Sequence, residues 1–233
     1  MKIGGLIICR MDSKRLPGKI LLPIQGKPVL EHLIDRVTRA NNINGEIVIA
    51  TTERKVDDDI VKFLEKDNSL PVYRGATEDV ASRVLECAIK FEMDYFLRIN
   101  ADSPFFDTDL IDRACSLAHS HSYDFITNLY PRSFPYGVSV ELINTRFYKE
   151  IYPKFIEKQD YEHITRYLYN SIEQINYFNI NNDLYDYSNT RLVIDDSKDY
   201  EMIKKIVSYS DKELSEIEYK EAIEIKKQLG LSE

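Results

Sequence analysis

Cysteine is scarce in this chain: Cys9, Cys87 and Cys115 are the only three among 233 residues. An odd number at wide spacing forms neither a disulfide framework nor a zinc pattern, and it fits a reducing, cytoplasmic setting. Any apolar run of about eighteen residues is also missing, which argues against a membrane-spanning helix. The short apolar stretch at the N-terminus runs into charge instead of a small-residue cleavage site, so it reads as a core strand and not as a secretory signal. Positive charge is in deficit. The 31 Lys and Arg face 39 Asp and Glu, for a formal net charge of -8 and a pI near 5.2, which excludes a broad nucleic-acid-binding surface. There is no internal repeat and no low-complexity linker. Neither phosphate-loop signature, GxxxxGK[ST] or GxGxxG, occurs.

What is present is alternation. Short apolar segments at Ile3–Cys9, Glu46–Thr51, Leu70–Arg74, Tyr95–Ile99 and Asp124–Asn128 read as strands. Between them lie helical stripes such as Leu30, Leu33, Ile34 and Val37, or Val80, Val84, Leu85 and Ala88. Strands alternating with helices predict a three-layer α/β domain, with a mostly parallel sheet covered on both faces, spanning 1–233. After Pro131 the pattern changes. PRSFPYG is a loop and VSVELI a strand. A helix is expected over Tyr161–Ile175, strands near Asn176–Ile180 and Arg191–Asp195, and a helical tail from Ser197. The stretch 130–160 is a candidate arm for dimerisation or substrate contact.

Against the acidic background one segment stands out. CRMDSKRLPGK follows the first strand directly and holds Arg10, Lys14, Arg15 and Lys19 within ten residues, with Ser13, Pro17 and Gly18 among them. In α/β folds ligands sit outside the carboxyl ends of strands, and a flexible cationic loop there suits a polyphosphate. A solvated surface loop is the plain alternative. Two further strands end in acid. INADSPFFD places Asp102 after YFLRI, and RLVIDDSKDY places Asp195 and Asp196 after RLVI. Each Asp could simply cap a helix or a turn. If Asp102 and Asp195 share one cleft, they form a site for Mg²⁺, which takes one or two carboxylates and completes its shell with phosphate oxygens and water. Glu141 and the pair Glu162–His163 are further polar candidates, whereas His119 and His121 read as surface residues. No Ser-His-Asp or Cys-His arrangement is apparent, so a covalent intermediate is not favoured.

These segments, in this order, resemble the sugar-acid cytidylyltransferases, and most closely the spore-coat polysaccharide branch. RMDSKRLPGKILLPIQGKPVLEHLIDR is similar to the branch's opening motif, although Asp12 and Lys14 stand where Gly and Thr are usual. YRGATEDVASRVLECA, RINADSPFFD, FPYGVSVELI, YEHITRYLY and RLVIDDSKDY resemble the later blocks. Ala101 replaces a usual Gly, and Tyr136 and Ser139 replace usual Asp residues, which bears on the acceptor. The resemblance implies transfer of CMP from CTP to a small-molecule acceptor, such as a sugar acid, with release of pyrophosphate, in a cytoplasmic homodimer. It assigns catalysis to Arg10, Lys19 and Asp102. It assigns nucleotide binding to Cys9, Arg10, Met11, Ser13, Arg15, Lys19, Arg74, Asp79, Arg83, Asn100 and Ala101. Asp102 and Asp195 would hold Mg²⁺, and Tyr136, Gly137, Glu141, Glu162 and His163 would line the acceptor pocket. Asp12 is expected to turn away from the phosphates and cap the following turn. Two readings compete: a glycosyltransferase that uses a ready-made nucleotide sugar, and a non-catalytic nucleotide-binding relative. GTP or UTP in place of CTP is also open.

Overall fold

The computed structural model describes residues 1–67 and 70–231. Its pivot is β1 (Ile3–Ile8), an uncharged run with neighbours on both edges. The cationic loop follows it, and then a small antiparallel hairpin of β2 (Pro23–Ile24) and β3 (Lys27–Pro28) leads into α1 (Val29–Val37). The chain then builds outward on one side of β1 through β4 (Ile47–Thr52), α2 (Asp58–Asp67) and β5 (Val72–Gly75). After α3 (Val80–Lys90) it crosses back and lays β6 (Tyr95–Asn100) on the other side of β1. The remaining elements are α4 (Thr108–Ser120), β7 (Phe125–Thr127), β8 (Glu141–Asn144), α5 (Thr145–Ile151), α6 (Lys158–Glu162), α7 (Arg166–Asn170), β9 (Tyr177–Asn179), α8 (Ser197–Tyr209) and α9 (Tyr219–Gln228).

The sheet runs β5-β4-β1-β6-β8-β7-β9. All pairings are parallel except those of β8, which is antiparallel to both neighbours. The mostly parallel α/β expectation therefore holds. Side chains alternate across the sheet with period two. Ile3, Ile7, Ile49, Leu97 and Ile99 pack under α1, α2, α4, α8 and α9, while Leu6, Val48, Phe96 and Ile143 pack against α3, α5 and α7. Strand order reverses between β1 and β6. The loops leaving their carboxyl ends, residues 9–19 and 101–107, diverge there and open a crevice, the usual ligand site of such sheets. Among the described residues no helix is long and apolar enough to cross a membrane.

Two expected elements differ. The helix over Tyr161–Ile175 is broken into α6, α7 and a short 3-10 turn at Ile172–Gln174. Arg166 pairs with Asp160, six residues earlier, whereas only residues three or four apart meet on a continuous helix. The chain folds back at His163 to make that contact. Arg191–Asp195 is extended but makes only one bridge, Tyr136 to Arg191, because its neighbour is a loop and not a strand. Leu192, Val193 and Ile194 are nevertheless buried, which is why the segment reads as a strand. The loop 131–137 lies on the body of the chain: Tyr187 N–H donates to the Ser133 carbonyl at 3.0 Å and Tyr136 N–H to that of Thr190 at 2.7 Å.

Candidate nucleotide site

The crevice holds two adjoining cavities, of about 430 Å³ and about 200 Å³. Arg15, Arg98, Asn100, Asp102 and Asp195 line both and form the wall between them. The larger is walled by the cationic loop: Cys9, Arg10, Ser13, Lys14, Arg15 and Lys19 from residues 9–19, with Arg83 from α3 and Ala101 from the end of β6. The smaller is walled by Arg132, Tyr136, Gly137, Ser139 and Glu141.

The loop is shaped by local chemistry. Gly18 adopts φ 69, the left-handed region where glycine is unstrained, and its N–H donates to the Met11 carbonyl at 2.7 Å. This closes the loop and turns Lys19 inward. Asp57, fully buried, pins the loop from below. Its carboxylate accepts from Met11 N–H at 2.7 Å, from the Thr52 hydroxyl, and from Arg54 at 3.3 Å. Asp12 turns away from the cavity and pairs with Arg54 and, at 3.5 Å, with Arg10. It answers Arg54 and Arg10 instead of capping a turn, and the Arg54 hydrogen bond holds its carboxyl below the ordinary value. Asp57→Ala strands the Thr52 hydroxyl and the Met11 N–H. Unmade buried hydrogen bonds of this kind cost about 1–3 kcal/mol, so a lower urea midpoint and a raised Michaelis constant for the nucleotide are expected together. A variant with the wild-type urea midpoint would show that the pin carries no stability.

The two aspartates meet. Lys19 Nζ lies 2.6 Å from Asp102 Oδ2 and 3.0 Å from Asp195 Oδ1. Asp102 sits where β6 ends, and its carbonyl accepts from Ile194 N–H at 2.9 Å, which draws the 191–195 segment to the same edge. Asp195 Oδ2 faces Arg191 at 2.8 Å and Arg15 at 3.2 Å. Burial pushes the Asp195 carboxyl up, but hydrogen bonds from Arg191 and Lys19 outweigh it and hold the group below its usual range. Asp196 is accounted for differently: it caps α8, accepting from Lys198 and Asp199 N–H at 2.8 and 3.0 Å.

Not every expected residue reaches the cavities. Arg74 turns to Asp58 at 2.8 Å and to the carbonyls of Thr52 and Arg54. Asp79 caps α3 through Ser82 N–H and accepts from the Tyr152 hydroxyl at 2.6 Å. The Met11 side chain packs on the core. None of the three lines either cavity. Glu162 and His163 are exposed and line the larger, loop-side cavity, not the one around Tyr136 and Glu141. Cys9 contributes wall, but its thiol is buried and desolvation pushes it up to about 12, with the Arg83 charge acting the other way.

Sequence reasoning missed Arg98, Arg132 and Arg191. Arg98 stands directly opposite Glu141 in the β6–β8 register and pairs with it, while Tyr169 donates its hydroxyl to the other Glu141 oxygen at 2.8 Å. A cation in YFLRIN and an anion in ELIN, each the one charged residue of its strand, are the available signal. Arg132 and Arg191 flank the Tyr136 ring, with guanidinium carbons 5.1 and 5.0 Å from its centroid. Gly137 adopts φ 103, and a side chain there would run into the Leu192 carbonyl, so this loop is seated tightly on the segment that carries Arg191 and Asp195.

Known proteins resemble this chain in sequence and fold. A solved cytidylyltransferase from Leptospira borgpetersenii serovar Hardjo-bovis is 31% identical, with a TM-score of 0.91 over 99% of this chain and 95% of its own. The spore coat polysaccharide biosynthesis protein SpsF of Bacillus subtilis is 28% identical over 207 residues, 86% of this chain and 84% of that protein. A 3-deoxy-manno-octulosonate cytidylyltransferase from Geobacter metallireducens is 29% identical over 114 residues, 49% of this chain and 43% of that enzyme. The family profile described as cytidylyltransferase matches residues 5–229. Since that match runs through both walls of the crevice, the chain belongs to the cytidylyltransferase family, CTP-dependent nucleotidyltransferases.

Proposed function

We propose that this enzyme transfers CMP from CTP to a hydroxyl of a sugar acid or a related acidic metabolite, releasing pyrophosphate, in the synthesis of a surface polysaccharide or glycoconjugate. The observation that carries this reading is the convergence of Lys19, Asp102 and Asp195 where two adjoining cavities meet, the larger walled by the cationic loop and the smaller by Arg98, Arg132 and Tyr136. The triphosphate lies against Arg10, Lys14, Arg15 and Lys19, with the base toward Cys9 and Arg83. The acceptor occupies the smaller cavity, where Arg98 and Arg132 suit a carboxylate. Its hydroxyl oxygen attacks the α-phosphorus and gives up its proton to solvent water, a new P–O bond forms, and the bond from the α-phosphorus to the oxygen that bridges it to the β-phosphorus breaks opposite it, so that pyrophosphate leaves. The chain acts by positioning and by opposing charge with charge.

The donor set fits Mg²⁺. Two hard carboxylates from separate segments meet at one ammonium, and no third His, Cys, Asp or Glu joins them among the described residues, so substrate oxygens and water would complete the shell. Bound there, the ion would supply positive charge to the departing phosphates. The three free cysteines suit a cytoplasmic setting.

A pyrophosphate-release screen of CTP with Mg²⁺ against a panel of sugar acids, amino sugars and phosphorylated polyols tests this. A sugar acid is expected to give turnover that GTP and UTP do not support. Tight CTP binding with no release under any acceptor would overturn the catalytic reading, and release only with neutral acceptors would overturn the substrate class.

A further inference from the structure

Asp195 has its two carboxylate oxygens sorted. Oδ1 faces Lys19 and the Asp102 side, and Oδ2 is turned to guanidinium groups. Of the two guanidinium groups on Oδ2, Arg15 is exposed and Arg191 is anchored. Arg191 donates Nε–H to Asp199 Oδ1 at 3.0 Å and Nη2–H to Asp199 Oδ2 at 2.9 Å, a two-pronged grip, and the same Nη2 reaches Asp195 Oδ2 at 2.8 Å. Asp199 is itself fixed, since its Oδ2 accepts from the backbone N–H of Asp195 at 2.8 Å and of Asp196 at 3.3 Å. The free face of the guanidinium is covered by the Tyr136 ring, and Tyr136 is held by paired backbone hydrogen bonds to Thr190 and Leu192, both 2.7 Å.

We propose that Arg191 is a positioning residue for Asp195, presenting Oδ1 to the metal, and that Tyr136 is the plate that keeps Arg191 in place. This rests on the reading of Asp195 as a metal carboxylate. Partners that orient a ligating carboxylate typically govern metal affinity by 10–100-fold. Tyr136 then has a reason: its ring lies over the guanidinium. A carboxylate at that position would compete with Asp195 and Asp199 for Arg191. The ring instead adds a cation–π contact and leaves the fork undivided.

Arg191→Lys is the informative change. It keeps the charge, so lost repulsion toward a divalent ion does not confuse the result, but one ammonium cannot grip both Asp199 oxygens and reach Asp195. Mn²⁺ binding is followed by electron paramagnetic resonance with CTP present and no acceptor, for wild type and for the Arg191→Lys, Tyr136→Phe, Tyr136→Ala and Asp195→Asn variants. CTP affinity is measured separately in chelator, and thermal melts check folding. Arg191→Lys is expected to weaken Mn²⁺ binding about 10–100-fold while leaving metal-free CTP affinity near the wild-type value, a split that a merely structural role would not produce. Tyr136→Phe should match wild type, and Tyr136→Ala should weaken Mn²⁺ binding as well, which keeps the proposal testable if Arg191→Lys folds poorly. Wild-type Mn²⁺ affinity in both Arg191→Lys and Tyr136→Ala, with binding lost in Asp195→Asn, overturns the positioning role alone. Wild-type affinity in Asp195→Asn overturns the metal reading and the positioning role with it.

Discussion

Asp102→Asn is expected to lose at least a hundredfold in turnover while melting at or near the wild-type temperature. The substitution changes charge but hardly shape. The backbone carbonyl that accepts from Ile194 N–H is untouched, so the 191–195 segment stays docked. What disappears is the carboxylate 2.6 Å from Lys19, on the wall shared by both cavities. A cation that this carboxylate would hold against the developing phosphate charge would be worth on the order of 3 kcal/mol, about a hundredfold in rate. The assay is pyrophosphate release with the acceptor that the screen returns, beside a thermal melt. Turnover within a few-fold of wild type would remove Asp102 from the reacting centre.

Lys19→Met is expected to act in two opposite directions. In the structure the Lys19 ammonium joins Asp102 to Asp195, and the side chain is only 11% exposed. A divalent ion shared by those carboxylates would take the ammonium's place, and the freed ammonium would then turn to the phosphates. Removing it should weaken CTP binding by about 10–100-fold, since a hydrogen bond to a charged partner is worth about 1.5–3 kcal/mol. CMP, which lacks the outer phosphates, should lose much less. Free Mn²⁺ should meanwhile bind the variant without nucleotide and raise its melting temperature, because Asp102 Oδ2 and Asp195 Oδ1 lose the ammonium that sits between them. Wild type should take up Mn²⁺ appreciably only with CTP. Calorimetric titrations of CTP, CMP and Mn²⁺ decide it. Equal losses for CTP and CMP would contradict the phosphate clamp, and equal free-metal affinity in the two proteins would contradict the exchange.

The parts of this molecule that were legible in the sequence are those written in short-range pattern. IGGLII, IVIATT and YFLRIN are short, mostly apolar runs, each preceded by a charged residue, and each forms a strand of the parallel region. The cationic loop was legible as well, because four cations in ten residues stand out in a chain of net charge -8. The unreadable parts are long-range pairings. Nothing near Arg98 says that Glu141, 43 residues later, stands across the ladder from it. Nothing near Arg74 says that Asp58 will draw it out of the crevice. The broken helix at 161–175 belongs to the same class in miniature: its apolar spacing is helical, but the Asp160–Arg166 pair overrides it. Asp196 shows the converse: a cap is one of its two readings, and the backbone N–H groups of a helix terminus claim the side chain. The N-terminus of α3 claims Asp79 in the same way, although the resemblance assigns it to the nucleotide.

The three thiols carry a practical corollary. Cys9, Cys87 and Cys115 are all buried, and desolvation pushes each up to about 12. Alkylating agents and peroxide attack thiolate, so the native enzyme offers them almost nothing to react with near neutral pH. Cys9 stands on the wall of the larger cavity, yet maleimide inhibitors aimed at it would fail. The same inertness makes the thiols a built-in clock: the rate at which a thiol dye labels them reports how often this enzyme opens, and a nucleotide that truly occupies the crevice should slow that clock at Cys9 first.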